Sequence, residues 1–130
     1  MAITIKSLMN GKLIYLKDDG NEMTLKETLN DTRKCMKMID SHEADVNLIF
    51  DRRTNKNNYA KEIDEIIDEF NDFVINRCKK VATLCNCELK KKEYNYRRYK
   101  NRKTIKAKAF TDEDIKKMKK FLNINNNLLQ

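Results

Sequence analysis

Between Glu88 and Lys108 the chain carries ten cations: Lys90, Lys91, Lys92, Arg97, Arg98, Lys100, Arg102, Lys103, Lys106 and Lys108. Only two carboxylates, Glu88 and Glu93, oppose them. The resulting +8 equals the net charge of all 130 residues, so the rest of the chain sums to zero. Charge concentrated in this way makes a local field that attracts polyanions. Tyr94, Tyr96 and Tyr99 are interleaved with the cations. Lysine and arginine neutralise phosphates, and tyrosine rings stack on exposed bases, so these residue types fit the binding of nucleic acid or nucleotide phosphates. On a strand, Tyr94, Tyr96 and Arg98 would share a face. Three other readings compete: a solvated face, contact with an acidic protein surface, and pairing with the acidic residues Glu62 to Asp72 of the same molecule.

The remaining reactive side chains assemble no catalytic pattern. Cys78, Cys85 and Cys87, with the distant Cys35, offer one Cys-x-Cys and no second ligand pair, which is poor spacing for zinc. His42, the one histidine, follows Cys35 by seven residues. On a shared helix that is ~10 Å, too far for direct proton transfer, and a structural role near a helix C-terminus fits better. Glu88-Leu89-Lys90 resembles the Glu-x-Lys element of metal-dependent nucleases, with Asp51 a conceivable partner. In a chain with 37% charged residues such a tripeptide arises easily by chance. The acidic run Glu62 to Asp72 lacks the glycine turn of a calcium loop, and there is no glycine-rich phosphate loop or Gly-x-Ser-x-Gly. The expectation is no catalytic residue, no cofactor and no metal.

The elements that must position the basic segment follow from periodicity. Asn10-Gly11 between β-prone runs predicts a type I′ hairpin, with Ile3, Ile5, Ile14 and Leu16 on one face. Thr4, Lys6, Tyr15 and Lys17, with Leu8 and Leu13, take the other face. Asp18-Asp19-Gly20-Asn21 predicts a turn. Thr24 and Glu27 have capping-box spacing ahead of Leu25, Leu29, Thr32, Met36 and Ile39, which predicts a helix over 24–40. Val46, Leu48 and Phe50 alternate as in a strand, and Arg52 to Asn58 reads as a loop. From Tyr59 to Leu84, apolar residues recur every three or four positions, predicting one helix over 58–85. Leu89–Tyr99 and 104–110 predict a basic hairpin turning near Lys100 to Lys103. Thr111 and Asp114 predict the cap of a final helix bearing Ile115, Met118, Phe121 and Leu122.

The expected fold class is therefore α+β, a single domain over 1–122 in the order β-β-α-β-α-β-β-α, with 123–130 a frayed polar tail. No run approaches the length of a membrane helix, and MAITIKSLMNGK lacks a secretory pattern. A cytoplasmic chain with reduced thiols is expected. A 28-residue helix would be ~42 Å long, against a domain diameter of ~36 Å. Its apolar stripe therefore predicts a homodimer or higher even oligomer through Phe70 and Phe73, unless a break near Asn71 or Asn76 folds the end back. The leading functional expectation is non-enzymatic binding of nucleic acid or nucleotide phosphates, with no membrane partner. The alternative is a small inhibitor or adaptor that binds a host protein, such as a nucleic-acid-processing or defence enzyme. Abundant lysine, asparagine and isoleucine are the composition of AT-rich genomes, among them phages and mobile elements.

Overall fold

The computed structural model describes residues 3–20, 24–54, 61–103 and 106–124. Asn10 and Gly11 adopt φ of 55° and 82°, and the Lys12 N–H donates to the Met9 carbonyl at 3.2 Å. This is the left-handed turn that Asn-Gly favours. It sets β1 (Ile3–Leu8) antiparallel to β2 (Leu13–Asp18), with Leu8 opposite Leu13 and Ile3 opposite Asp18. That register sends Ile3, Ile14 and Leu16 into one core and leaves Thr4, Lys6 and Lys17 exposed on the other face.

α1 (Leu25–Asp40) starts at the expected capping box. The Glu27 N–H donates to Thr24 Oγ1 at 3.1 Å, and the Thr24 N–H donates to the Glu27 carboxylate at 3.0 Å. Then follow β3 (Asn47–Asp51), α2 (Lys61–Arg77), β4 (Lys80–Leu84), α3 (Glu88–Lys100) and β5 (Ala107–Phe110). A 3-10 turn at Asp112–Asp114, capped by Thr111 and Asp114, leads into α4 (Ile115–Leu122).

The five strands lie side by side in chain order, and β2 to β5 run parallel. A parallel pair needs a crossover, and α1, α2 and α3 supply the three. Repeated right-handed crossovers in one direction stack the helices on one face. Ile39 of α1 and Phe70 and Val74 of α2 meet Leu48, Phe50 and Val81 there. α4 covers part of the opposite face, where Met118 and Leu122 meet Ile49, Ala82, Leu84 and Phe110. Asn123 ends α4 in the left-handed region, and Ile124 is buried in this second cluster, so packing continues past the expected start of the tail. Among the described residues no helix is long and apolar enough to cross a membrane.

The chain is the mixed α and β domain expected, but two of its elements differ from expectation. The helix over 58–85 ends at Arg77, and its last apolar stretch is strand β4; residues 58–60 lie outside the described residues. Val81, Ala82, Thr83 and Leu84 are all buried because β4 sits mid-sheet with helices on both faces. A strand buried on both faces loses its alternation and cannot be told from a buried helix by periodicity. The basic hairpin expected between Leu89–Tyr99 and 104–110 is also absent: β5 pairs with β4 instead, in parallel, and the crossover such a pair needs is supplied by Glu88–Lys100 as α3. The fold thus reads β-β-α-β-α-β-α-β-α. Phe70, expected at an oligomer interface, is fully buried inside its own chain and meets Phe50 edge-on at 5.8 Å, while Phe73 packs against the same core.

Candidate anion-binding site on α3

Helical geometry sorts the basic segment differently from a strand. Tyr94 and Arg98, four residues apart, share the inner face of α3, while Lys92, Tyr96, Tyr99 and Lys100 are exposed. Tyr96 and Tyr99 keep 62% and 71% of their surface open. The Lys100 ammonium lies over the Tyr96 ring at 5.6 Å from its centroid. Lys92 and Arg102 have no ion-pair partner among the described residues, and Arg102 sits in the left-handed region just past the helix end.

Other cations of the segment are engaged internally. Lys90 pairs with Glu93 at 3.6 Å. Lys91 reaches Asp114 at 2.7 Å and Glu88 at 3.4 Å. The hydrogen bond from Lys91 holds the Asp114 carboxyl below the usual carboxylate range, and Asp114 raises the Lys91 ammonium in return. Arg97 pairs with Asp68 of α2 at 2.9 Å. Lys103 donates to Asn76 Oδ1 at 3.3 Å and Lys106 to the Asn76 carbonyl at 3.4 Å. Lys108 is on the other face of the sheet, over the Phe121 ring of α4. The thirteen expected ligand residues therefore divide among an outer helix face, the cleft between α2 and α3, and the α4 side.

Tyr94 is structural rather than a free stacking platform. Its hydroxyl accepts a hydrogen bond from Arg52, and its ring faces the Arg98 guanidinium at 5.4 Å. Arg98 is only 4% exposed and donates through Nη2 to Thr83 Oγ1 at 2.7 Å. Burial pulls its pKa down to about 10, since desolvation disfavours the charged form. Arg98 Nη1 and Asn71 Nδ2 are buried without hydrogen-bond partners among the described residues. Asn71 and Asn76 of α2 carried no site signal in the sequence; only the position of α2 beside α3 brings them to the cleft.

The carboxyl ends of the parallel strands hold a second charged network. Asp51 accepts a hydrogen bond from the Tyr15 hydroxyl and hydrogen bonds from Arg53 Nε at 2.9 Å and Nη2 at 2.7 Å. Arg53 also reaches Asp112 at 2.6 Å. Arg52 Nε stands 3.6 Å from Asp18, an ion pair without a hydrogen bond. These groups neutralise one another. Glu88 is in the first turn of α3, paired with Lys91, while Asp51 is held by Tyr15 and Arg53, so the nuclease-like pairing is not assembled. His42 ties the end of α1 to β1: Nδ1 is 2.8 Å from the Met38 carbonyl and Nε2 is 2.9 Å from Ser7 Oγ. Cys35, Cys78 and Cys85 are buried, and desolvation raises each thiol to about 11; Cys87 is exposed. Among the described residues no three metal-ligating side chains converge. Comparison with protein-family models, curated proteins and solved structures finds no match to this chain.

Proposed function

We propose that this is a non-enzymatic, cytoplasmic protein that binds single-stranded nucleic acid along the outer face of α3. The observation that carries the reading is the pair of exposed rings, Tyr96 and Tyr99, set among Lys92, Lys100 and Arg102. Tyr96 and Tyr99, three residues apart, lie side by side on the helix surface, and a contiguous exposed aromatic patch marks an interaction site where a lone exposed ring does not. A base covers such a ring while neighbouring cations take the phosphates, and base–aromatic stacking is sequence-tolerant.

Fluorescence anisotropy with a labelled single-stranded oligonucleotide tests this. Affinity is expected to fall steeply with salt. Tyr96→Ala with Tyr99→Ala is expected to weaken binding about tenfold or more, given ~1–3 kcal/mol per stacked base. Replacing Lys92, Lys100 and Arg102 with alanine is expected to flatten the salt dependence by ~0.7 in log–log slope for each phosphate no longer neutralised. Absence of binding, or binding indifferent to salt, refutes the reading. A second reading draws on Leu89, 66% exposed and two turns before Tyr96 on the same face. Leu89, Tyr96 and Tyr99 would then form the apolar stripe of an inhibitor or adaptor docking on a host protein. Partners that survive nuclease treatment in a pull-down would favour that alternative.

A further inference from the structure

A cavity of about 350 Å³ lies between α2 and α3, on the inner side of α3. Asn71 and Arg98 line it, and they are only 7% and 4% exposed. Each presents one buried N–H donor, Asn71 Nδ2 and Arg98 Nη1, with no partner among the described residues. Buried polar groups in folded proteins are almost always satisfied, so two such donors on residues that line one cavity call for an acceptor. The demand is greater for Arg98, because the groups it meets, the Thr83 hydroxyl and the Tyr94 ring, are both uncharged. A buried charge without a counter-charge is among the most expensive arrangements a fold can hold.

The rest of the wall is of mixed charge. Arg97 and Lys103 line the cavity, and Asp72 is the carboxylate that shares it. Arg97 is already held by Asp68 and Lys103 by Asn76, so both are fixed in place near the opening. The last turns of α2 and α3 also flank the space. Their dipoles oppose an anion with about half a charge each. With Arg97 balanced by Asp68, Arg98 and Lys103 stand against Asp72 and the two helix ends, so attraction of an anion rests on the direct donors of Arg98 and Asn71 and not on an excess of charge.

We propose that this cavity binds a phosphate monoester, its phosphoryl oxygens accepting from Arg98 Nη1 and Asn71 Nδ2, with Arg97 and Lys103 at the rim. Donors arriving from two helices suit a tetrahedral oxyanion better than a planar carboxylate, whose two oxygens a single guanidinium fork already satisfies. The volume falls within the ~300–1,000 Å³ of small-ligand sites and leaves room beyond the phosphoryl group for the group it esterifies. The same chemistry occurs in a free nucleoside monophosphate and at the 5′ end of an oligonucleotide. The site faces away from Tyr96 and Tyr99 and does not depend on stacking there.

Thermal unfolding of the full chain in adenosine 5′-monophosphate, against adenosine at equal ionic strength, is the test. The parent is expected to gain several degrees in the monophosphate and none in the nucleoside. Arg98→Met removes the buried charge but keeps much of the packing. It is expected to melt no lower than the parent without ligand and to lose the monophosphate response. Asn71→Leu is a second variant, expected to cut affinity about tenfold. A 5′-phosphorylated oligonucleotide bound more tightly than its 5′-hydroxyl form, with the preference lost in Arg98→Met but kept in Tyr96→Ala, would place the ligand at a nucleic-acid end. Equal responses to monophosphate and nucleoside, or equal monophosphate responses from parent and Arg98→Met, would overturn the proposal. That result would leave the α3 outer face untouched.

Discussion

Tyr15 and Asp51 illustrate how one side chain sets the protonation of another at the carboxyl end of the sheet. Tyr15 is pushed up to about 12, first by burial and then by its hydrogen bond to the Asp51 carboxylate. Burial alone would raise Asp51, but hydrogen bonds from Arg53 and Tyr15 overcome it and hold Asp51 below its ordinary value. Linkage turns each shift into a dependence of stability on pH. Tyr15 favours its neutral form on folding, so its contribution is complete below the unfolded value near 10 and is lost as pH rises through about 12. Asp51 favours its charged form, so its contribution is present above the unfolded value of ~3.9 and is lost as pH falls. Alkaline titration followed by tyrosinate absorbance is expected to contain a late component near 12 that disappears in Tyr15→Phe. Loss in that variant of a component near 10, with none titrating late in the parent, would show that Tyr15 is neither buried nor bonded to Asp51 in solution.

At the scale of elements, Phe70 separates the architecture expected from sequence from the one found. On a 28-residue helix it would be an interface residue, and a polar substitution would dissociate a dimer. On α2 it packs edge-on against Phe50, fully buried. Phe70→Ala is therefore expected to cost ~3–5 kcal/mol of stability with no change in molar mass; urea denaturation beside light scattering measures both. Elements with one wet face were legible in the sequence. The N-terminal hairpin from Asn10-Gly11, α1 from Thr24 and Glu27, and α4 from Thr111 and Asp114 each have a local start signal. β4 has none, since Val81 to Leu84 are buried whichever way they point. α3 misled in the opposite way. Its tyrosines favour strands, while its lysines, arginines and glutamates favour helices, and the choice rests on β5 pairing parallel to β4. The site shared this fate. The cations could be read off the chain, but grouping Tyr94 with Arg98 required the helix, and Asn71 required the neighbouring element.

For the whole molecule, the observed elements remove the geometric reason for self-association. α2 has 17 residues, or ~26 Å at standard rise, which fits within a domain ~36 Å across. Its apolar residues Ile63, Ile67, Phe70, Val74 and Ile75 are at most 8% exposed, and only Ile66 and Phe73 are partly exposed, with Phe73 packed against the core, so no continuous stripe is left for a second copy to cover. The sheet edges, the other common route to assembly, are guarded as well. β5 is four residues long, and the Asn95 side chain donates to the Ala109 carbonyl at 3.2 Å and accepts from the Ala109 N–H at 2.8 Å. This occupies backbone groups that a further strand would need. At the opposite edge β1 exposes Lys6, and the Asp31 carboxylate accepts from the Ile3 N–H at 3.4 Å. A net charge of +8 adds mutual repulsion between copies. Sedimentation equilibrium at high micromolar concentration is therefore expected to give the 15.5 kDa of one chain. A dimer at that concentration would contradict these arguments and direct attention to Leu89, Tyr96 and Tyr99, the one stripe of large exposed side chains on α3. Tyr96→Ala with Tyr99→Ala would then have to restore the monomer. If it did, the surface proposed for nucleic acid would also be a self-association surface, and oligonucleotide binding should compete with dimer formation.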